Sequence, residues 1–377
     1  MMQKFILASV IFLITITNLF SAEPGISFHS QYMIKNDFGT KDNIALTYNE
    51  ALYLISQQPY PDSTLKLEVN NSICKIKVPD SLFRERMYIA DFAVHGNNLF
   101  LLDFNRIYHF RFTNNSYNFK NYYELDEAFL HINYYNDKLF CYASFIMGSN
   151  KDDSSQTYVS IIDLNSNKKN LIYFPNPEGV MFSLFTPRKL IDVNEDFAVI
   201  ADAVNYDIKL YDHKAEFLTS INRQPPKWKS NSKEVPKIDD KEPIKGQLMD
   251  KMGDYYEMSL INSVNFINND QLLICWEIPG EYGKEYYFDI WERTEGSWQL
   301  TRGDMTFPGK EDEKFNPDLL KLGSSHKVSN GMILNLTAFP FDVKEINKGT
   351  NEEINNKVEE YFFENDLKYS VFIREIK

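Results

Sequence analysis

Cysteine is scarce in this 377-residue sequence: Cys74, Cys141 and Cys275 are the whole complement. No two form a CxxC pair, and the odd number argues against a disulfide framework. Cys141 and Cys275 lie inside apolar runs, where cysteine serves as a small buried hydrophobe. Glycine and proline are also sparse, at 15 each against 29 Phe and 23 Tyr, a balance that suits pleated, half-buried strands. The signatures of several enzyme classes are missing: there is no GxSxG elbow, HExxH, P-loop or GxGxxG. The six histidines (His29, His95, His109, His131, His213 and His326) are scattered, with no metal-ligand spacing. No metal and no cofactor is expected. No long basic run offsets a formal net charge of −13, so a nucleic-acid partner is excluded on electrostatic grounds.

Beyond the N-terminus, no apolar run is long enough to cross a bilayer. The N-terminus itself reads as a secretory leader. Lys4 supplies the positive charge, an apolar stretch covers 5–20, and Ser21-Ala22-Glu23-Pro24 follows. Cleavage near Ala22 would give a periplasmic or secreted chain with no stable membrane insertion. The alternative is an uncleaved anchor. Phe20 is a poor fit to the small-residue rule for such a cut, and no cysteine follows the run to accept a lipid.

What the chain does have is a repeated strand phrase: an apolar run, an Asn/Asp/Gly turn, and a second apolar run. Asp91-Phe92-Ala93-Val94-His95-Gly96-Asn97-Asn98-Leu99-Phe100-Leu101-Leu102-Asp103 is the clearest copy, and the run from His131 through Asn136-Asp137 to Tyr142 is another. Weaker copies end at Asp202, Trp276 and Leu336. Hairpin alternation at 64–78 turns at Asn70-Asn71. Antiparallel units recurring at roughly 40 residues or more predict an all-β fold, a β-propeller of four-stranded blades. Five phrases plus the 26–78 region predict six blades in one domain over 23–377. The alternating strand at 369–376 is predicted to complete a blade begun by the N-terminal region, removing open edges.

Two stretches break the rhythm. Residues 222–257 hold Pro225-Pro226, Pro236, Pro243 and mixed charges, and read as a solvated insertion or a partner-binding loop. Residues 343–366 are acidic and helical in composition. Asp192-Val193-Asn194-Glu195-Asp196 has alternating oxygen ligands, but Phe197 stands at the sixth place, where a calcium loop needs Gly, so a solvated turn is expected.

The phrase from Tyr206 to Leu218, with Tyr211-Asp212 ahead of a short turn, resembles the outer hairpin of NHL-type and TolB-like propellers, the six-bladed propellers of exported bacterial proteins. Those often carry Gly in the turn, and Ala215 stands here instead. The resemblance implies a fold and brings no catalytic motif. In a propeller the innermost strands line the channel, and polar residues near their starts face it. Read in register, these are Asp91, His131, Arg188, Asn262 and His326. Trp276, Trp291 and Trp298 sit in strand phrases as core residues, leaving Trp228, in the insertion, to stack on a ligand. The leading expectation is a monomeric, non-enzymatic exported scaffold for a protein or glycan partner. The alternative is a glycan hydrolase or lyase using channel-facing Asp, His and Arg. Fold alone does not choose between them.

Overall fold

The computed structural model describes residues 26–35, 44–49, 51–56, 64–69, 72–82, 87–142, 156–175, 189–229, 258–280, 283–305, 325–329, 331–337, 360 and 367–376. They form six four-stranded antiparallel sheets arranged as the blades of a β-propeller. Among them only Glu360 has helical backbone.

The blades are numbered from the first complete one, and each is given from the inner strand outwards. Blade 1 is β2 (Ile44–Asn49), β3 (Ala51–Ser56), β4 (Thr64–Val69) and β5 (Ser72–Lys77). Blade 2 is β6 (Asp91–His95), β7 (Asn98–Asp103), β8 (Arg106–Thr113) and β9 (Ser116–Glu124). Blade 3 is β10 (His131–Tyr135), β11 (Lys138–Tyr142), β12 (Gln156–Asp163) and β13 (Lys168–Pro175). Blade 4 is β14 (Ile191–Val193), β15 (Ala198–Asp202), β16 (Asp207–Tyr211) and β17 (Phe217–Asn222). Blade 5 is β18 (Leu260–Asn268), β19 (Gln271–Gly280), β20 (Gly283–Thr294) and β21 (Ser297–Met305). Blade 6 is β22 (Ser325–Ser329), β23 (Met332–Thr337), β24 (Leu367–Ile376) and the N-terminal strand β1 (Ile26–Lys35).

The continuous apolar runs are second strands buried on both faces, and their period-two alternation divides each run between two inter-blade cores. On β7, Leu99 and Leu101 pack towards blade 1, while Phe100 and Leu102 pack towards blade 3. On β11, Leu139 and Cys141 face blade 2, while Phe140 and Tyr142 face blade 4. On β19, Leu272, Ile274 and Trp276 face blade 4, while Leu273 and Cys275 face blade 6. The core of the molecule is therefore the set of seams between blades. Outer strands show the complementary pattern: exposed and half-buried residues alternate along β9.

Turn chemistry fixes the hairpins. Asn114-Asn115, Asn136-Asp137 and Glu295-Gly296 each hold two successive residues at positive φ, the geometry that matches the twist of paired strands. In the β16–β17 turn, Asp212 Oδ1 accepts the N–H groups of Lys214 (2.8 Å) and Glu216 (2.9 Å). There Ala215 takes φ +63°, a left-handed backbone that glycine adopts without the side-chain clash.

The chain order places the first–second connection of every blade and the third–fourth connection of blades 1 to 5 at one end, and the others at the opposite end. At the first end the connections run from one to five residues. All longer connections, including 143–155, 176–190, 223–259, 306–324 and 338–366, depart from the opposite end. These two ends are called the short-turn face and the long-loop face.

The C-terminal strand closes the ring. β24 is paired on both sides, with β23 (Leu334 opposite Ile373) and with β1 (Tyr32 opposite Val371). Inner strands β22 and β2 are in contact, so the ring has no gap between its last and first blades. Truncation after Lys368 strips β24 and leaves both β1 and β23 with open edges. The truncated chain is expected to aggregate and to lose its cooperative thermal transition, checked by light scattering and calorimetry. A monomer with an unchanged Tm would show that the ring is sealed elsewhere.

Candidate functional site

The starts of the inner strands meet at the long-loop mouth of the channel. Asp91 opens β6 and is buried. Its Oδ2 accepts the backbone N–H of Ile132 in the next blade at 3.1 Å and lies 3.8 Å from His131 Nδ1. His131 opens β10, with 27% of its side chain exposed, and its ring is 5.3 Å from that of Tyr142. Tyr142, the last residue of β11, is buried, and its phenol donates to Asp192 Oδ1 at 2.6 Å. Burial, followed by the Asp192 carboxylate, holds that phenol well above its ordinary pKa, so it stays protonated as a donor.

Asp192 is the hub of this region. Its Oδ1 also receives Asn133 Nδ2 at 3.0 Å and the Lys189 ammonium at 3.0 Å, and its Oδ2 accepts the Phe266 N–H of blade 5 at 2.7 Å. Lys189 Nζ further donates to Asn265 Oδ1 at 2.9 Å and lies 5.6 Å above the Tyr142 ring. A carboxylate 2% exposed would be costly if left alone. Here a cation and three neutral donors satisfy it, drawn from blades 3 and 5 and the β13–β14 connection. The solvated turn expected at 192–196 is thus corrected. Asn194 is buried too, and its Oδ1 accepts the N–H groups of Asp196 (2.9 Å) and Phe197 (2.8 Å). The alternating acids serve a blade junction and a turn. Among the described residues, no group of three or more His, Cys, Asp and Glu is placed to hold a metal ion.

The sequence-derived site residues divide as follows. Asp91 and His131 come together at the mouth. Asn262 turns back into its own blade, its Nδ2 donating to Glu277 Oε2 at 3.1 Å, and its carbonyl accepts the Lys189 N–H at 3.2 Å. Arg188 lies outside the described residues, whereas its neighbour Lys189 supplies the cation. His326 is placed in β22 opposite Asn335. Its side chain, like most of 343–366, lies outside what is described.

Trp228 is not a free aromatic on a loop. It is half-buried against the core between blades 4 and 5, its ring 5.6 Å from Tyr206 and 5.7 Å from Trp276. Trp276 and Trp291 belong to that core and Trp298 packs on it, so all four tryptophans gather at one seam. The segment 223–229, read from its prolines and charges as solvated, is a strap across this seam. Arg223 lies 2.5 Å from both Asp289, fully buried, and Asp304. Tyr206 donates to the same Asp289 carboxylate at 2.5 Å. The strap needs Gly303, because a Cβ there would stand 2.9 Å from the Arg223 guanidinium. Lys227 Nζ donates to the Tyr287 hydroxyl at 2.7 Å. The strap ends in a clasp: the Lys229 N–H donates to Ser259 Oγ at 2.8 Å, and the Ser259 N–H donates to the Lys229 carbonyl at 3.1 Å. The excursion therefore begins after Lys229 and is pinched at its base.

No family model matches the sequence, and no curated protein matches it either. Among solved structures, a member of the DUF4221 family from Bacteroides vulgatus ATCC 8482 superposes with a TM-score of 0.51 at 9% identity, covering 94% of this chain and 98% of that one. A protein from Bacteroides fragilis NCTC 9343, inferred to be exported, gives a TM-score of 0.49 at 14% identity over 92% of this chain and 95% of that one. The WD40 domain of Toxoplasma gondii coronin gives 0.41 at 9% identity over 83% and 70%. At 9% identity the likeness to the DUF4221 family member speaks to fold alone.

The clasp separates two deletions that the sequence treats as equivalent. Replacing 230–257 with a short Gly/Ser linker is expected to leave Tm nearly unchanged, since loop length enters closure entropy only weakly. Replacing 223–257 is expected to lower Tm by about 5 °C or more, because Asp289 is left buried without its cation. Equal melting of the two variants would show that the strap contributes nothing.

Proposed function

We propose that this chain is an exported, non-enzymatic propeller scaffold that holds a protein or glycan partner on its long-loop face. The observation that carries the reading is the asymmetry of the two faces. One has only tight turns, and the other carries every connection longer than five residues. Long connections on a rigid ring are the usual carriers of recognition. The ionisable groups at the channel mouth support the same reading. Asp192, Lys189 and Tyr142 are bonded to one another, and a neutral, buried phenol is a poor general base at neutral pH.

Export to the periplasm or beyond belongs to the proposal and rests on the leader-like composition of 1–22. Ala215, at positive φ in the turn of the 206–218 hairpin, supports placing the chain beside the NHL-type and TolB-like propellers. One mature domain over 23–377, acting as a monomer, completes the reading. The alternative, a glycan hydrolase or lyase, draws on the His131–Asp91 pair at 3.8 Å and its partly exposed imidazole.

Photo-crosslinking residues placed at Asn105 and Asp126 on the long-loop face are expected to capture a partner in cells, whereas those at Asn115 and Glu295 on the short-turn face are not. Equal capture from both faces would contradict the assignment. Incubation with polysaccharides is expected to yield no cleavage products. Product formation that is lost in a folded His131→Asn variant would establish the enzymatic alternative instead.

A further inference from the structure

The outer strand of each blade forms the rim of the ring and is the last strand of its sheet. Such an edge is a row of N–H and C=O groups ready to pair with another chain, and proteins guard it with charge. Five of the six rim strands carry a guard: Lys75 on β5, Lys120 on β9, Lys168 on β13, Arg302 on β21 and Lys35 on β1. The exception is β17, Phe217-Leu218-Thr219-Ser220-Ile221-Asn222, which has no charged residue in a chain of net charge −13. It also shows the most exposed large apolar side chain among the described residues, Phe217 at 57%, followed directly by Leu218 at 47%. A bulge sets these two apart from the rest of the strand. Tyr211 pairs with Phe217 and Leu210 with Thr219, so Leu218 is the extra residue. From Thr219 to Asn222 the register with β16 is regular, with Ile221 buried in the seam with blade 5 and Ser220 and Asn222 exposed. Across the sheet Lys209 and Asp207, opposite Ser220 and Asn222, pair with one another at 3.9 Å. Both ends of the strand are held. Before it the Asp212 N–H donates to the Glu216 carbonyl at 3.0 Å, and after it Arg223 is fixed by Asp289 and Asp304. The edge is therefore formed in advance of any partner.

We infer that β17 is a strand-addition site, which takes an extended, uncharged segment of a partner protein as a fifth strand of blade 4. The site lies on the rim and goes beyond the long-loop reading, so either can fail without the other. The chemistry of the edge selects the occupant. A row of alternating amides and carbonyls is matched by an extended backbone, whereas a glycan or a helix does not repeat that spacing. Main-chain hydrogen bonds supply the affinity, and side chains on one face of the added strand cover Phe217 and Leu218. The small, neutral Thr219 and Ser220 let another backbone approach. A charged segment is disfavoured, because β17 offers no opposite charge where the two apolar side chains exclude water.

Because the backbone carries the pairing, a neutral strand-forming peptide is a sufficient probe. A capped synthetic peptide with the sequence of residues 217–222, titrated into the mature chain, is expected to bind saturably. Residue-resolved hydrogen exchange is expected to show slowed amides within 217–222 and unchanged amides along β9, whose edge Lys120 guards. Ser220→Lys places a guard at an exposed position and is expected to raise Kd about tenfold or more with Tm unchanged, while Ser220→Thr binds as the wild type does. Ser220→Glu is expected to repeat the loss, which separates the effect of charge from that of the lysine side chain. No saturable binding, equal affinity in Ser220→Lys and wild type, or equal protection of β9 and β17 would overturn the site. A mature chain that sediments as a dimer, and as a monomer once Ser220→Lys is introduced, would overturn the partner and assign the edge to a second copy of this chain.

Discussion

The structure depends on a set of polar pins that carry the inner strands of blades 1 to 4 each to the next. Asn49 Nδ2 donates to the Val94 carbonyl at 3.2 Å, joining blade 1 to blade 2. Asp91 accepts the Ile132 N–H, joining blade 2 to blade 3. Asn133 donates to the Val193 carbonyl at 2.9 Å, joining blade 3 to blade 4, and Asp192 accepts the Phe266 N–H, joining blade 4 to blade 5. Apolar burial between blades supplies most of the favourable free energy, but it is non-directional. The pins are directional, and they set the rotation and register of one sheet against its neighbour. Each also satisfies a backbone group that would otherwise be buried unpaired at the narrow centre of the ring.

This explains why the mouth of the channel is rich in ionisable groups bonded to one another. Asp192 with Lys189, Tyr142 and Asn133 resembles an active site in composition. Its hydrogen-bond capacity, however, is spent inside the protein. A centre locked in this way leaves the long-loop face free to vary, because connections departing from a rigid ring alter recognition without altering the blades. The strap at 223–229 sits at the boundary between these roles: Arg223 and Trp228 belong to the seam, while Lys227 is exposed.

The fold was legible where the sequence speaks locally. Leu99-Phe100-Leu101-Leu102 reads as a strand buried on both faces, Asn136-Asp137 reads as a hairpin turn, and the alternation at 369–376 reads as a closing strand, found between β1 and β23, while Asn70-Asn71 lies outside the described residues between the paired strands β4 and β5. The pins and the strap were not legible, because their partners are distant in the chain. Asp192 meets Tyr142 and Phe266 across fifty and seventy-four positions, and Arg223 meets Asp304 across eighty-one. The prolines and charges of 223–229 carry the composition of a solvated loop. Only the Gly303 notch and the buried Asp289 reveal that the segment is packed. Register arguments placed Asp91 and His131 at the starts of inner strands, where the two side chains lie 3.8 Å apart.

The central claim is that polar pins between neighbouring inner strands lock the ring, and at two of them a carboxylate accepts an amide of the next blade. Residue-resolved hydrogen exchange measures those amides directly. If the account holds, the Ile132 and Phe266 amides exchange only through global unfolding, alongside the core of β7 and β19, and Asp192→Asn speeds Phe266 while sparing Ile132. Exchange of Ile132 and Phe266 in the wild type at the rate of the exposed turn amides of Asn115 and Glu295 would contradict it.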